Sequence, residues 1–131
     1  MIEVDIKNNL KSVFDKIRKA AERADRDPGG ITLVAVSKQV GADRIMEAAA
    51  CGAEIFGENY AQELRDKFEL VADGTGHTVK WHFIGRLQRN KVKYLVGNVE
   101  LIHSLDSVSV AEEIQKRAGA AGIKKVHALI E

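Results

Sequence analysis

Short apolar runs alternate with longer amphipathic segments along most of this chain, and this alternation is the feature that most constrains its fold. The runs that predict strands cover residues 33–36, 54–57, 79–85, 99–105 and 125–131. Apolar residues at helical spacing predict helices over residues 3–25, 42–50, 58–72, 87–97 and 107–118, and the sequence DGTGHT predicts a loop over 73–78. Strands that alternate with helices form a parallel sheet with helical crossovers. We therefore predict an α/β fold of about five parallel strands with a leading helix.

Two architectures satisfy this order of elements. One is an open, doubly wound five-stranded sheet, and the other is part of a (β/α)8 TIM-like barrel, which needs about 250 residues to close. Because the chain has 131 residues, we do not expect a complete barrel within it. No internal repeat, low-complexity segment or linker divides the sequence, so we predict a single domain over residues 1–131.

Composition narrows the classes of partner. The formal net charge is +1, which argues against a nucleic acid or a membrane surface recognised through bulk charge. No run approaches the roughly 20 apolar residues of a membrane span, and no secretory signal is visible, so we expect a cytoplasmic protein. The single cysteine, Cys51, excludes an intrachain disulfide and is expected to be a small packed thiol at a helix end.

Polar side chains gather at the carboxyl ends of the predicted strands, where both architectures place their active face. Lys38 follows the first strand, Asn59 follows the second, and the third carries His82 and ends at Gly85. The fourth and fifth strands contribute weaker candidates, which are His103, Ser104, Asp106, His127 and Glu131. A lysine, an asparagine and a histidine are thus expected to converge on one mouth.

Each of these residues also has a purely structural explanation. Lys38 would extend into water as most lysines at strand ends do. Asn59 and Asp106 would cap the helices that follow them, and His82 would be a hydrogen-bonded core residue. The sequence pattern by itself leaves these alternatives open.

The chemistry that fits these candidates is that of a lysine amine. Neither GxGxxG nor GxxxxGK[ST] is present, and the four histidines and one cysteine lack the spacing of metal ligands. In "LVAVSK", adjacent strand residues point to opposite faces, which favours a packed Ser37 and a Lys38 aimed at the mouth. An amine in a partly apolar mouth can lose its proton and attack an aldehyde, and pyridoxal phosphate (PLP) is the cofactor that needs such an amine.

Four motifs in order, "LVAVSK", "FGENYAQE", "WHFIGRLQRNKVK" and "IHSLD", resemble those of the pyridoxal phosphate homeostasis protein family over nearly the whole chain. The resemblance implies the N-terminal part of a (β/α)8 barrel of the alanine racemase N-domain type, which is PLP fold type III. It implies that Lys38 carries PLP as a Schiff base and that Asn59, His82 and Gly85 line the cofactor site. It also implies a non-catalytic protein that buffers or delivers PLP.

The sequence departs from the family pattern in two ways. Gly41 occupies a position where the family often has proline, which should loosen the turn and matter little. Family members run past 200 residues, so their phosphate-binding loop and an arginine facing the pyridine nitrogen have no counterpart in these 131 residues. Losing two phosphate hydrogen bonds is expected to weaken PLP binding by about 100-fold or more. Exposed sheet edges are expected to favour self-association or pairing with a separate C-terminal half.

Two other functions remain open at this point. One is a PLP-dependent amino-acid racemase-like enzyme, which would need a second acid or base opposite Lys38, and the chain's only tyrosines are Tyr60 and Tyr94. The other is a truncated or engineered fold fragment with no ligand function.

Overall fold

Within residues 5–74 and 79–131, which a computed structural model describes, five parallel strands form one sheet and pair in their order along the chain. The strands are β1 (Val34–Val36), β2 (Ile55–Glu58), β3 (Lys80–Phe83), β4 (Leu101–Leu105) and β5 (Ala128–Ile130). A doubly wound sheet reverses its strand order at a switch point, whereas a (β/α)8 barrel keeps the strands in sequence. The observed order is therefore that of the N-terminal part of a barrel, and the predicted fold class is confirmed.

Four α-helices flank this sheet: α1 (Ile6–Arg23), α2 (Ala42–Ala50), α3 (Ala61–Gly74) and α4 (Val108–Ala120). The predicted start of α1 at residue 3 lies outside the described residues. The described helix begins after Asp5, whose side chain accepts a hydrogen bond from the Asn8 N–H (2.9 Å) and so caps it. The predicted loop over 73–78 is wrong at its start, because α3 continues to Gly74, and residues 75–78 lie outside the described residues.

The predicted α-helix over residues 87–97 is wrong in type. The segment contains a 3₁₀ helix over Arg89–Tyr94, in which the Lys91 N–H donates to the Gln88 carbonyl (2.9 Å). Val92 and Leu95 are fully buried and lie three residues apart, which matches the three residues per turn of a 3₁₀ helix. A short Pro28–Gly30 3₁₀ turn, capped by Asp27, separates α1 from β1.

The core lies on one face of the sheet. Phe56 and Trp81 from neighbouring strands pack with ring centroids 5.9 Å apart, and helix residues such as Ile45 and Leu64 join the same cluster. The opposite face is more open, since Val36 is 54% exposed there. Close packing on this face is local to Gly57, where an added Cβ would lie 2.9 Å from the Ile84 side chain.

Among the described residues, no helix is both long enough and apolar enough to cross a membrane.

Candidate functional site

Lys38 lies directly beyond β1 with its side chain exposed. The N–H of the preceding residue, Ser37, donates to the Gly57 carbonyl (3.0 Å), so the β1–β2 ladder extends to this point. Ser37 is buried, and its hydroxyl donates to the Glu58 carboxylate (2.6 Å) on the helix-covered face. Ser37 is therefore packed against the helix-covered face as predicted, whereas the next residue, Lys38, is exposed.

A tight turn holds the Lys38 backbone. The Val40 N–H donates to the Ser37 carbonyl (3.1 Å), which places Lys38 and Gln39 at the two central positions of a β-turn. Gln39 has a φ of 60°, the left-handed conformation that the second central residue of a type II turn requires. Glycine or asparagine is usual at such a position, so the surroundings must hold Gln39 in this conformation.

A buried ion network lies beneath this turn, and the sequence analysis missed it. The Lys67 amine donates to the Ser37 carbonyl (2.6 Å), to Glu58 (2.8 Å) and to Glu63 (2.6 Å). The Glu58 side chain is fully buried and that of Lys67 is 10% exposed. The available signal was that Lys67 falls on the apolar stripe of its helix, four residues after Glu63.

The network sets the ionisation of Glu63. Burial by itself would raise the pKa of this carboxyl, but hydrogen bonds from Lys67 and from the Gln39 N–H, with the charge of Lys67, outweigh burial and lower the pKa below its ordinary value. Glu63 therefore remains a carboxylate that accepts hydrogen bonds down to lower pH than a free glutamate.

Asn59 and Gly85 contact each other across the ends of β2 and β3. A Cβ on Gly85 would lie 2.7 Å from the Asn59 Cα and still closer to its carbonyl oxygen, so only glycine fits there. The Ser104 hydroxyl donates to the Gly85 carbonyl (2.5 Å) from β4. The carboxyl ends of β2 and β3 therefore contact each other, and a hydrogen bond joins β4 to the end of β3.

The capping explanations are not realised at either predicted residue. The side-chain oxygen Oδ1 of Asn59 is buried and has no hydrogen-bond partner among the described residues, so it does not cap α3. The N-cap of α4 is Ser107 rather than Asp106, because the Ser107 hydroxyl accepts from the Val110 N–H (3.2 Å).

A pocket of about 370 Å³ opens beside Asn59 and Gly85, at the low end of the size range of small-molecule sites. Arg86 and Lys91 give it a cationic wall, and its remaining lining consists of Tyr60, Ala61, Gln62, Phe83 and Gln88. Lys38 and His82 are not among the lining residues described.

His82 lies on the open face of the sheet, level with Gly57 of β2, and is 8% exposed. Its Nδ1 lies 3.0 Å from Nε2 of His103, a contact that the sequence analysis did not predict. Burial lowers the pKa of His82, the positive form of His103 lowers it further, and Glu100 opposes both. His82 is thus a buried, hydrogen-bonded histidine at the open face.

Within the described part of the chain, no three His, Cys, Asp or Glu side chains come together as metal ligands. The predicted site residues fall into three groups: the Lys38 turn, the Asn59–Gly85 contact with its pocket, and the His82–His103 pair within β3 and β4. The structure brings Asn59 and Gly85 into direct contact, whereas it shows no side-chain contact between Lys38 and the other two groups.

Comparison with known proteins gives a consistent set of relatives. No family model matches the chain. The chain is 50% identical over 109 residues to "Pyridoxal phosphate homeostasis protein" of Aquifex aeolicus, which covers 83% of this chain and 46% of that protein. It is 40% identical over 116 residues to the protein of the same name in Escherichia coli K12, covering 88% of this chain and 50% of that protein.

Solved structures agree with this result. PipY of Synechococcus elongatus, solved with PLP bound, superposes with a TM-score of 0.72 at 36% identity, covering 90% of this chain and 50% of that one. An unknown protein from Bifidobacterium adolescentis superposes with a TM-score of 0.85 at 32% identity, covering 98% of this chain and 57% of that one. The motif resemblance is therefore confirmed: this chain is homologous to proteins named pyridoxal phosphate homeostasis protein and spans about half the length of the curated relatives that it matches.

Proposed function

We propose that this chain binds PLP covalently through the amine of Lys38 and serves PLP homeostasis without catalysing a reaction. The observation that carries the proposal is the exposed Lys38 amine on a braced turn at the carboxyl end of β1, in a chain 36% identical to a protein solved with PLP. PLP supplies an aldehyde, with which an unprotonated lysine amine condenses with loss of one water.

Polar groups at the ends of β2 and β3 fit the polar parts of such a ligand. The Asn59 side chain lines the pocket, and its Oδ1 is buried without a partner among the described residues. This oxygen can accept a hydrogen bond from a ligand, and with the amide flipped the NH₂ group can donate one instead. Gly85, which also lines the pocket, lets the Asn59 backbone approach it, since any side chain there would collide with Asn59. In this proposal Lys38 attaches PLP while Asn59, His82 and Gly85 orient it.

The non-catalytic part of the proposal follows from the same neighbourhood. Relatives carry the name of a homeostasis protein rather than of an enzyme. Tyr60 is 62% exposed, and Tyr94 packs under the Arg65 guanidinium, 4.8 Å from the ring centroid. The contacts described for the two tyrosines include none with Lys38, which a racemase base would face. The proposal keeps the cytoplasmic location expected from the sequence.

The test is a titration with PLP, followed by borohydride reduction and mass mapping of the modified peptide. Three proteins are compared: wild type, Lys38→Ala and Lys125→Ala. Lys125 is also exposed. It directly precedes β5, which is the edge strand on the other side of the sheet from β1. It controls for the random reaction of PLP with surface lysines.

We expect saturable visible absorbance and a label on the Lys38 peptide in wild type and Lys125→Ala, and loss of both in Lys38→Ala. Labels spread equally over many lysines, unchanged by Lys38→Ala, would refute the proposal. Racemisation of alanine by the PLP-loaded wild type would overturn its non-catalytic part.

A further inference from the structure

Three charged side chains form an ion network behind the Lys38 turn: Lys67 and Glu58 are buried, and Glu63 is 24% exposed. Lys67 has three N–H donors, and all three are used: one on the Ser37 carbonyl and one on each carboxylate of Glu58 and Glu63. Taking such charges out of water is energetically costly, so a network of this kind needs a compensating reason.

The network forms hydrogen bonds with both peptide groups next to Lys38. The Ser37 carbonyl belongs to the peptide before the Lys38 Cα, and it accepts from Lys67 (2.6 Å). The Gln39 N–H belongs to the peptide after it, and it donates to Glu63 (2.5 Å). Because these two peptide planes determine φ and ψ of Lys38, the network fixes the direction in which its Cα–Cβ bond leaves the turn.

The network also explains how Gln39 keeps its left-handed conformation. The Glu63 carboxylate that binds the Gln39 N–H is itself held by Lys67 (2.6 Å) on the same helix. Residues with positive φ persist where surrounding contacts over-determine them. The strained turn and the buried charges thus form one unit.

We propose that Glu63 and Lys67, backed by Glu58, are positioning residues that orient Lys38 for attachment to an aldehyde ligand. This inference rests on the proposed function for its ligand but not for its geometry. A purely structural role, which would only dock α3 onto the sheet, is the competing explanation.

The key variants are Glu63→Ala and Glu63→Gln. Alanine removes the acceptor of the Gln39 N–H, whereas glutamine keeps an oxygen at the same distance along the side chain. The matched control is Glu113→Ala, which removes a buried carboxylate of α4 that accepts from Arg117 (3.0 Å) and lies away from the Lys38 turn.

Two readouts separate positioning from stability. The first is amide hydrogen exchange at Gln39 without any ligand, and the second is the rate of borohydride-trapped PLP attachment at Lys38. The urea unfolding midpoint of each variant is measured alongside both. For Glu63→Ala we expect Gln39 exchange to rise about tenfold and attachment to slow by about threefold to tenfold, the scale of one lost hydrogen bond. Glu63→Gln should restore most of both, and Glu113→Ala should lower the urea midpoint without changing either.

The inference is overturned if Glu63→Ala lowers the urea midpoint but leaves Gln39 exchange and Lys38 attachment at wild-type rates. If wild type itself attaches no PLP at Lys38, the proposed function fails, while Gln39 exchange still decides whether the network holds the turn. Should Glu63→Ala not fold, Glu63→Asp replaces it, because a carboxylate one methylene shorter cannot reach both the Lys67 amine and the Gln39 N–H.

Discussion

Replacing Lys67 with methionine tests how strongly the buried ion network contributes to stability. Methionine keeps the length and apolar stem of the side chain but removes the amine. The Glu58 carboxylate, fully buried, would then keep only the Ser37 hydroxyl as a hydrogen-bond donor (2.6 Å) among the partners that the structure describes. The Ser37 carbonyl and Glu63 would lose a donor as well.

The expected cost follows from this burial. Removing one member of a buried ion pair typically costs about 3–5 kcal/mol, because the remaining charge is left uncompensated. Domains of ordinary size have a free energy of unfolding of about 5–15 kcal/mol, so Lys67→Met should remove a large part of it. The double variant Glu58→Gln with Lys67→Met removes both charges and should be more stable than Lys67→Met by about 1–3 kcal/mol.

Urea unfolding measures these differences directly. Trp81 is the only tryptophan in the sequence and is 2% exposed, so its fluorescence reports loss of the core. The control is Arg18→Met, which breaks an exposed i,i+4 pair with Glu22 (3.3 Å), whose side chains are 50% and 56% exposed. That pair should contribute only about 0–1 kcal/mol.

A loss below about 1 kcal/mol for Lys67→Met, equal to that of Arg18→Met, would refute the reasoning. It would mean that water reaches Glu58 or that the three hydrogen bonds of the amine are not formed in solution.

Other predictions concern the strand ends, pH and affinity. Gly85→Ala should destabilise the protein by about 1–3 kcal/mol or more in urea unfolding, because the alanine Cβ would meet the Asn59 backbone rather than a side chain that could move. A Gly85→Ala variant as stable as wild type would contradict this packing. The pKa of His82 is lowered from 6.5 by burial and by His103, so its contribution to stability is complete above about pH 6.5 and declines as the pH falls below that value. His82→Asn should flatten this part of the stability–pH curve and His127→Asn, at an exposed position, should not; equal curves for all three proteins would exclude the effect. From the family resemblance we expect PLP to bind about 100-fold more weakly than to PipY in parallel titrations, and comparable affinities would show that the phosphate needs no further anchor. Light scattering at increasing concentration tests self-association through the edges β1 and β5, and a monomer throughout would reject it.

The sequence by itself determined the order of the elements and the burial of Ser37 beside an exposed Lys38. Hydrophobic periodicity is a local property, so the five strands, α2 and this burial pattern could all be predicted from neighbouring residues. The motifs "LVAVSK" and "FGENYAQE" also carried the family resemblance. A helix was predicted over Arg89–Tyr94 but its 3₁₀ type was not, because that geometry depends on where Val92 and Leu95 meet the core.

Only the tertiary structure decided which polar residues meet. The His82–His103 contact, the closeness of Gly85 to Asn59 and the hydrogen bond from Lys67 to the Ser37 carbonyl join residues 21 to 30 positions apart in the sequence. Such contacts depend on the register between strands and on the seating of α3, and side-chain packing across the whole sheet sets both. The sequence and the family resemblance predict Lys38 as the reactive amine, but only the tertiary structure shows that Lys67 and Glu63 hydrogen-bond to the peptide groups on either side of it.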